Sequence, residues 1–473
     1  MDSVRVKKLD LTGLKYCITL PASKSMANRA FILAAQTIGE YEIKGNFEAE
    51  DIQLMISALR QLGLTIKERE DGVKIINNGS WVENENDIEL FLGNSGTSIR
   101  FLSSLMCLRY GKTILTGVKR MKEERPISAL VDALRIMGVE VSYLEKKGYP
   151  PIQIEVKHEP FSKVSVRGNA SSQYVTSLML IGSSLENGLE ITLDGPLISK
   201  PYVEITQHMI EEWGGEVMFE GGIVGVEPAD LECDEYDVEG DASGAVYWWG
   251  LDYLHGSEVE IMNLSEGSVQ GDVGFLELVN SIQTDPRLFM KGNNIIEIDM
   301  NDMPDASLML MAMAPLMEYP VRIVNIGSLR VKETDRIAAM ATELKKIGVL
   351  VETGEDWMQI DPLDMEKYND QQVIQIDTYV DHRIAMSFAV LGTKLGNLEI
   401  LDPECVGKTY PRFWEELERR RMNDDPNPTL GTITSECTNF NTIHYKVMNG
   451  VCFYLLIRMC RVFYGVGFRL IFL

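Results

Sequence analysis

The sequence has few of the residues that build metal sites. It contains seven cysteines, none of them in a C-x-x-C pair, and five histidines without metal-ligand spacing. Scattered cysteines are typical of reduced, buried thiols in the cytosol, whereas a zinc site needs a cluster of ligands. We therefore predict no metal site and a cytoplasmic protein.

Positive charge is also scarce. The chain has 45 lysines and arginines against 70 aspartates and glutamates, which gives a formal net charge of −25. Nucleic acid and anionic membranes attract proteins of the opposite balance, so we predict neither as a partner. If the substrates are anions, the few cations must be concentrated locally.

Long apolar runs and targeting signals are missing as well. Residues 1–8 have no apolar signal core and no transit-peptide composition, in keeping with a cytoplasmic protein. The apolar segment 451–473 is interrupted by Arg458, Arg461 and Arg469, and its uncharged runs are shorter than the ~20 residues that a membrane span needs. We interpret residues 422–473 as an extension foreign to the fold; an amphipathic anchor in a membrane surface is the alternative.

The chain does contain a repeat. Six segments rich in small polar residues each lead into an apolar helix, namely residues 22–29, 93–100, 168–173, 240–244, 303–307 and 379–383. Serine, asparagine, aspartate and glycine favour the N-cap, so each segment predicts a helix start. A second type of helix ends at a glycine, namely Gly63, Gly138, Gly215 or Gly348.

The repeat predicts an α/β protein of six units. Six units exceed one comfortable core, so we predict two domains of three units each, with chain crossings near Pro21 and Gly240. The first domain then comprises residues 1–21 and 240–421, and the second comprises residues 22–239. The predicted helix over residues 308–316 is apolar nearly all round, so we expect it to be buried.

The segment 329–336, Leu-Arg-Val-Lys-Glu-Thr-Asp-Arg, lies between a predicted strand over 321–326 and a predicted helix over 337–347. It places Lys332, Glu333 and Arg336 at a helix N-terminus. Helix starts favour anions, so Arg336 opposes the helix dipole unless an anion binds there. The alternative is a solvated turn whose charges pair with one another.

Further cations lie near the predicted helix starts or in neighbouring loops. They are Lys24, Arg29, Arg125, Lys332, Arg336, Arg383 and Lys408. These seven positive charges would balance the negative charges of two substrates that each carry a phosphate and a carboxylate. Any one cation could instead form a surface salt bridge, and the hypothesis depends on their recurrence at one structural position.

Uncharged polar residues and one acid occupy similar positions. Ser171, Ser172 and Gln173 offer hydroxyls and an amide suited to a phosphate and a sugar-like ring, or they are simply N-cap residues. Asp305, at another helix start, is either a cap or a base.

The chain resembles the EPSP synthase family over about residues 5–420. The motifs that carry the resemblance are Leu-Pro-Ala-Ser-Lys-Ser (20–25), Leu-Phe-Leu-Gly-Asn-Ser-Gly-Thr (90–97), Arg-Met-Lys-Glu-Glu-Arg-Pro-Ile (120–127), Ser-Ser-Gln (171–173), Ser-Lys-Pro-Tyr (199–202), Arg-Val-Lys-Glu-Thr-Asp-Arg (330–336), Asp-His-Arg (381–383) and Lys-Thr-Tyr-Pro (408–411). The resemblance implies a two-domain inverted α/β barrel with three two-helix, four-strand repeats per domain. It also implies a monomer without a metal or organic cofactor.

The resemblance implies transfer of the enolpyruvyl group of phosphoenolpyruvate to the 5-hydroxyl of shikimate 3-phosphate, with release of phosphate. The residues implied to bind shikimate 3-phosphate are Lys24, Ser25, Arg29, Ser171, Ser172, Gln173, Ser199, Tyr202, Asp305, Ser328 and Lys332. Those implied to bind phosphoenolpyruvate are Lys24, Asn94, Gly96, Arg125, Gln173, Arg336, Arg383 and Lys408. Ser328 stands where the family commonly has Asn, and Glu123-Glu124 contains one glutamate more than usual.

The implied reaction needs an acid and a base that reach different atoms. We assign Glu333 to the proton of the phosphoenolpyruvate methylene and Asp305 to the proton of the attacking hydroxyl, with Lys24 stabilising the departing phosphate. The nearest alternative is an enolpyruvyl transferase acting on a UDP-sugar. That family has a reactive cysteine in the loop corresponding to residues 119–126, where this chain has none. A non-catalytic relative is the other alternative.

Overall fold

The computed structural model describes residues 2–167, 171–195, 197 and 199–422. These residues belong to one compact unit, residues 1–427, and the second unit, residues 428–473, lies outside the described residues. The prediction of an extension over residues 422–473 therefore falls almost wholly outside them. Among the described helices, none combines the length and the apolar character that crossing a membrane requires.

Helices and short strands alternate along the described chain. The helices are α1 (Lys24–Gln36), α2 (Glu50–Leu62), α3 (Gly96–Leu105), α4 (Lys119–Glu124), α5 (Ser128–Ile136), α6 (Ser172–Gly182), α7 (Lys200–Glu212), α8 (Ala242–His255), α9 (Gly274–Thr284), α10 (Ser307–Met313), α11 (Arg336–Lys346), α12 (His382–Leu395) and α13 (Phe413–Met422). The strands are β1 (Ser3–Arg5), β2 (Lys15–Ile18), β3 (Gly39–Lys44), β4 (Thr65–Arg69), β5 (Gly72–Asn77), β6 (Ile88–Phe91), β7 (Gly111–Thr116), β8 (Glu140–Tyr143), β9 (Ile152–Val156), β10 (Lys163–Arg167), β11 (Leu189–Asp194), β12 (Val217–Glu220), β13 (Ile223–Val226), β14 (Glu235–Asp237), β15 (Glu258–Ile261), β16 (Met290–Lys291), β17 (Ile295–Asp299), β18 (Val321–Val324), β19 (Val351–Thr353), β20 (Met358–Ile360), β21 (Ile374–Ile376) and β22 (Leu398–Leu401).

The described strands form six sheets, four of which share one design. In each of the four, a parallel pair is followed by an antiparallel hairpin: β14–β3–β5–β4, β6–β7–β9–β8, β10–β11–β13–β12 and β17–β18–β20–β19, the last with β16 added beside β17. The other two sheets are smaller, with the orders β15–β2 and β1–β22–β21. Four of the six sheets formed by the described strands thus share one four-strand arrangement.

Two separate groups of buried apolar residues form the core. One group draws on residues between Ala22 and Val238, and the other draws on residues 6–20 and 245–417. Helices α1, α3 and α6 pack against one another in the first group, and α8, α10 and α12 do so in the second. Every residue of α10 is buried, as its apolar sequence predicts. The chain therefore has a two-domain α/β fold.

The helix boundaries follow from local sequence. The six predicted helix starts are confirmed by α1, α3, α6, α8, α10 and α12, although residues 168–170 lie outside the described residues. Ser23, Ser95 and Asp381 cap their helices by accepting a hydrogen bond from a first-turn N–H. Helix α11 is followed by Gly348 with φ +93°, as predicted, but after α7 the left-handed glycine is Gly214 and not Gly215.

The chain passes twice between the two cores, and the two passages lie side by side. Ala22 and Gly240 form an antiparallel bridge. The Ser23 N–H donates to the Glu239 carbonyl (2.8 Å), and the Asp241 N–H donates to the Pro21 carbonyl (2.9 Å). The two crossing segments therefore run antiparallel and support each other at the boundary between the cores.

Asn263 holds both passages. Its carboxamide oxygen accepts from the Leu20 N–H, its carboxamide nitrogen donates to the Leu20 carbonyl (both 2.9 Å), and its main-chain carbonyl accepts from the Gly240 N–H (2.7 Å). A Cβ at Gly240 would lie 2.7 Å from the Asn263 carboxamide oxygen, so this position requires glycine. The carboxamide thus acts as a strand partner for the first passage.

We predict that Asn263→Ala lowers the free energy of unfolding by about 2 kcal/mol, because the Leu20 N–H and C=O lose their partners while remaining buried. Urea denaturation measures the change. Asn78→Ala is the matched control: Asn78 accepts hydrogen bonds only within an exposed turn, from Ser80. Equal losses in the two variants would contradict this role for Asn263.

Candidate active site

A cavity of about 460 Å³ lies where the N-termini of the buried helices of the two cores face each other. Its wall contains first-turn residues of α1, α3, α6 and α12 and residues that precede α10 and α11. Free N–H groups at helix starts make such a surface favourable to anions. The fold therefore places one anion-suited cavity between two cores.

Most of the predicted site residues line this cavity. They are Lys24, Ser25, Gly96, Arg125, Ser171, Ser172, Gln173, Ser199, Tyr202, Asp305, Ser328, Lys332, Glu333, Arg336 and Arg383. The exceptions are Arg29, Asn94 and Lys408. Residues separated by more than 300 positions in the sequence thus meet in one wall.

The three exceptions lie behind the wall. The guanidinium of Arg29 donates to the Thr206 hydroxyl (2.8 Å) and to the carbonyls of Ser25 (2.6 Å) and Tyr202 (2.8 Å), so its donors are engaged within the protein. The Asn94 carbonyl accepts from Arg125 (2.8 Å) and from Lys408 (3.0 Å). In the structure Arg29 and Asn94 therefore support the site from beneath rather than facing the cavity.

Arg336 is surrounded by carboxylates. Its guanidinium donates to Asp381 (2.7 and 3.1 Å), to Asp305 (2.9 Å) and to Glu333 (2.9 Å), and its side chain is 1% exposed. These three acids remove the conflict between Arg336 and the dipole of α11. The alternative of a solvated turn is wrong about solvation, because Glu333 and Arg336 are buried, although Arg336 does pair with Glu333 as that alternative expects.

Glu333 joins cations from both cores. One carboxylate oxygen contacts Lys408 (3.2 Å) and Arg125 (3.6 Å), and the other accepts from Arg336. Burial raises the pKa of the Glu333 carboxyl, but Lys408, Arg336 and Arg125 outweigh the burial and hold this pKa well below its usual range. Glu333 is therefore ionised in this arrangement.

Asp305 is bound by three cations. It contacts Lys332 (3.3 Å), Arg336 (2.9 Å) and Arg383 (3.0 Å). Burial raises the pKa of the Asp305 carboxyl, but Arg383, Lys332 and Arg336 hold it well below its usual value. Asp305 is therefore ionised in this arrangement, as a proton acceptor must be.

Carboxylates compensate the cations of the cavity more fully than the sequence indicates. Asp51 is buried between Lys24 (3.4 Å) and Lys408 (3.8 Å). It was not predicted as a site residue, because an acidic first turn of a helix has an ordinary local explanation. Asp381, noted only as part of a motif, is a second acid of this kind. The sequence predicts Glu333 and Asp305 as acids of this site, and the structure adds Asp51 and Asp381.

Arg100 is a cavity residue that the prediction missed. Its guanidinium lies over the ring of Tyr174 (5.3 Å from the centroid) and donates to the carboxamide oxygen of Gln173, whose nitrogen donates to Thr97 (3.2 Å). Arg100 ends the motif 93–100 and lies one helical turn after Gly96. This i, i+4 spacing is the signal that could have identified it.

His382 is fully buried beside these charges, and its Nδ1 lies 3.7 Å from Asp381. Burial and the neighbouring Arg383 hold the pKa of the His382 imidazole well below its usual value. The imidazole is therefore neutral in the folded protein.

Comparison with known proteins agrees with the resemblance. Residues 11–417 match the family described as EPSP synthase (3-phosphoshikimate 1-carboxyvinyltransferase). The chain is 39% identical over 433 residues to the 3-phosphoshikimate 1-carboxyvinyltransferase of Mannheimia haemolytica, covering 88% of this chain and 99% of that protein. The chain is also 38% identical over 430 residues to the Haemophilus influenzae (strain PittEE) protein of the same name, covering 88% of this chain and 98% of that protein. A solved EPSP synthase from Acinetobacter baumannii has a similar fold, with a TM-score of 0.70 at 24% identity, covering 89% of this chain and 98% of that one.

Burial of a neutral His382 predicts that stability falls as the pH drops below about 6.5, the pKa of histidine in an unfolded chain. Below that pH the unfolded chain binds a proton that the folded chain excludes, so stability declines by about 1.4 kcal/mol per pH unit, or about 2 kcal/mol between pH 6.5 and 5. Urea denaturation across this range should show a flatter pH dependence for His382→Gln than for the unaltered protein. Parallel curves would contradict the prediction.

Proposed function

This chain belongs to the EPSP synthase family, and on that premise we propose that it transfers the enolpyruvyl group of phosphoenolpyruvate to the 5-hydroxyl of shikimate 3-phosphate, releasing phosphate. The observation that carries the proposal is the shared contact of Glu333 and Asp305 with Arg336 in one cavity. Two carboxylates 3 Å from one guanidinium stand close enough to serve adjacent atoms of one reaction centre.

Binding rests on the cations and on uncharged donors. The residues that bind shikimate 3-phosphate are Ser25, Ser171, Ser172, Gln173, Ser199, Tyr202, Ser328 and Lys332. Arg29 supports this surface. The residues that bind phosphoenolpyruvate are Lys24, Arg125, Arg336, Arg383 and Lys408, and Asn94 and Gly96 belong to its pocket. Planar guanidinium groups suit bidentate contacts with carboxylate and phosphate, and lysines act as point charges.

The acid and the base have separate tasks. Asp305 takes the proton of the 5-hydroxyl as its oxygen attacks the enol carbon, while Glu333 gives a proton to the methylene. The tetrahedral intermediate then loses phosphate as its C–O bond breaks and a methyl proton returns to Glu333. Lys24 and Lys408 stabilise the departing charge. One hydroxyl proton and one phosphate leave for each new ether bond, so the step balances.

Glu333 must be protonated before it can act as an acid. Phosphate and carboxylate groups that bind Lys408, Arg336 and Arg125 would offset the very charges that depress the pKa of Glu333. Substrate binding therefore raises the pKa of the Glu333 carboxyl, and the carboxylate becomes protonated. The substrates also bind Lys332 and Arg383, which contact Asp305, so binding raises the pKa of the Asp305 carboxyl too and makes it a stronger base for the hydroxyl proton.

The finer architecture belongs to the same proposal: two inverted α/β barrels, one of residues 1–21 and 240–421 and one of residues 22–239, each with three repeats. The two apolar cores and the paired passages at Ala22 and Gly240 support these boundaries. The monomeric state and the cytoplasmic location stay predictions. The family match and the similar curated proteins favour shikimate 3-phosphate over a UDP-sugar as the acceptor.

The purified chain should release phosphate when both substrates are present and none when shikimate 3-phosphate is replaced by a UDP-sugar. Glu333→Gln should lower kcat roughly 10²- to 10⁴-fold, because it removes the acid but keeps the shape. Glu352→Gln, at an exposed residue of β19, is the matched control. Thermal unfolding verifies that each variant is folded. Absence of phosphate release by the folded, unaltered protein would refute the function, and unchanged turnover in Glu333→Gln would refute the assigned acid.

A further inference from the structure

Two residues in an unfavourable backbone conformation directly precede the site residues of α12. Tyr379 and Val380 have φ values of +54° and +57°, and the Asp381 N–H donates to the Thr378 carbonyl (2.8 Å). Positive φ at both central residues is the pattern of a type I′ turn, which favours Asn-Gly. Tyrosine and β-branched valine are poor residues for it. The turn therefore needs support from outside itself.

Val380 cannot supply that support, because it is 69% exposed. The support comes from Glu343, which is fully buried in α11. Its carboxylate accepts from the Tyr379 hydroxyl (2.8 Å), from the Asp377 N–H (3.0 Å) and from Lys346 (2.6 Å). The Tyr379 N–H also donates to the Asp377 side chain (2.8 Å).

The turn determines where Asp381 lies. Asp381 caps α12 by accepting from the Arg383 N–H (3.0 Å) and also accepts two hydrogen bonds from Arg336. Arg336 and Glu343 are seven residues apart in α11, which is about two turns and the same face of the helix. Helix α11 thus contacts the segment 377–381 at two points. Glu343 binds the first part of the segment, and Arg336 binds Asp381 at the end of the segment.

We propose that Glu343 and Tyr379 are positioning residues that hold the 377–381 turn in its strained form, so that Asp381 orients Arg336, and Arg383 faces the cavity. The inference rests on the proposed function only for its kinetic consequence. A relaxed turn would move the Asp381 carboxylate and leave the Arg336 and Arg383 guanidinium groups less well aligned for an anionic substrate.

Tyr379→Phe tests the proposal, because it removes one hydroxyl and keeps the ring. Glu343 is a poorer target, since its loss would remove an acceptor from three donors at once. We expect Tyr379→Phe to raise KM for phosphoenolpyruvate roughly 3- to 10-fold, with a smaller change in kcat. It should also speed amide hydrogen exchange in peptides that span residues 377–385.

The decisive variant is Tyr379→Phe/Val380→Gly. Glycine adopts positive φ without strain, so it relieves one of the two strained residues and makes the turn less dependent on its anchor. KM and exchange should therefore move back towards those of Val380→Gly alone. Tyr368→Phe is the matched control: it loses a hydroxyl bound to Asn397 in the same core and should change neither quantity.

Normal KM and normal exchange in Tyr379→Phe would overturn the proposal. The proposal would also be overturned if glycine at position 380 did not reduce the rise in KM and in exchange rate, since a hydroxyl with a merely structural role would behave in that way. If the unaltered protein releases no phosphate, the proposed function fails. Hydrogen exchange alone then decides whether Glu343 and Tyr379 hold the 377–381 turn.

Discussion

A buried guanidinium enclosed by three carboxylates, at Arg336, is the interaction on which the rest of the site depends. An isolated buried charge is too costly to persist, so each member of this cluster requires the others. Asp381, Asp305 and Glu333 come from three separate segments, and each is also bound by a further donor or cation. The cluster therefore fixes the relative positions of α10, α11 and α12.

The repeated fold supplies the members of this cluster. Each small polar segment begins a buried helix, and the starts of these helices converge on one cavity. The two cores are joined beside it by Arg125 with Glu333 and by Lys408 with Asp51. The passages at Ala22 and Gly240, held by Asn263, allow one chain to build both cores. Architecture and charge pairing thus depend on each other.

Local pattern was enough to predict the helix starts, the burial of α10 and the strand and helix around residues 329–336. The resemblance identified most of the residues of the cavity wall. Neither could show that Asp51 and Asp381 compensate the cations, because ion pairing between distant segments depends on tertiary geometry. The resemblance implies that Arg29 binds shikimate 3-phosphate, and it gives no sign that the guanidinium donates to Thr206 and to two carbonyls within the protein. The positive φ of Tyr379 and Val380 also contradicts local preference, which is why sequence reasoning did not detect the turn.

In the proposed mechanism, anionic substrates compete with Glu333 for its cations and thereby protonate it. Titration calorimetry of phosphoenolpyruvate binding, in buffers of different ionisation enthalpy, counts the protons taken up. An Asp305→Asn background with shikimate 3-phosphate bound prevents turnover. We predict that this protein takes up about one proton more than the same protein carrying Glu333→Gln. Equal proton counts in the two proteins would contradict the claim.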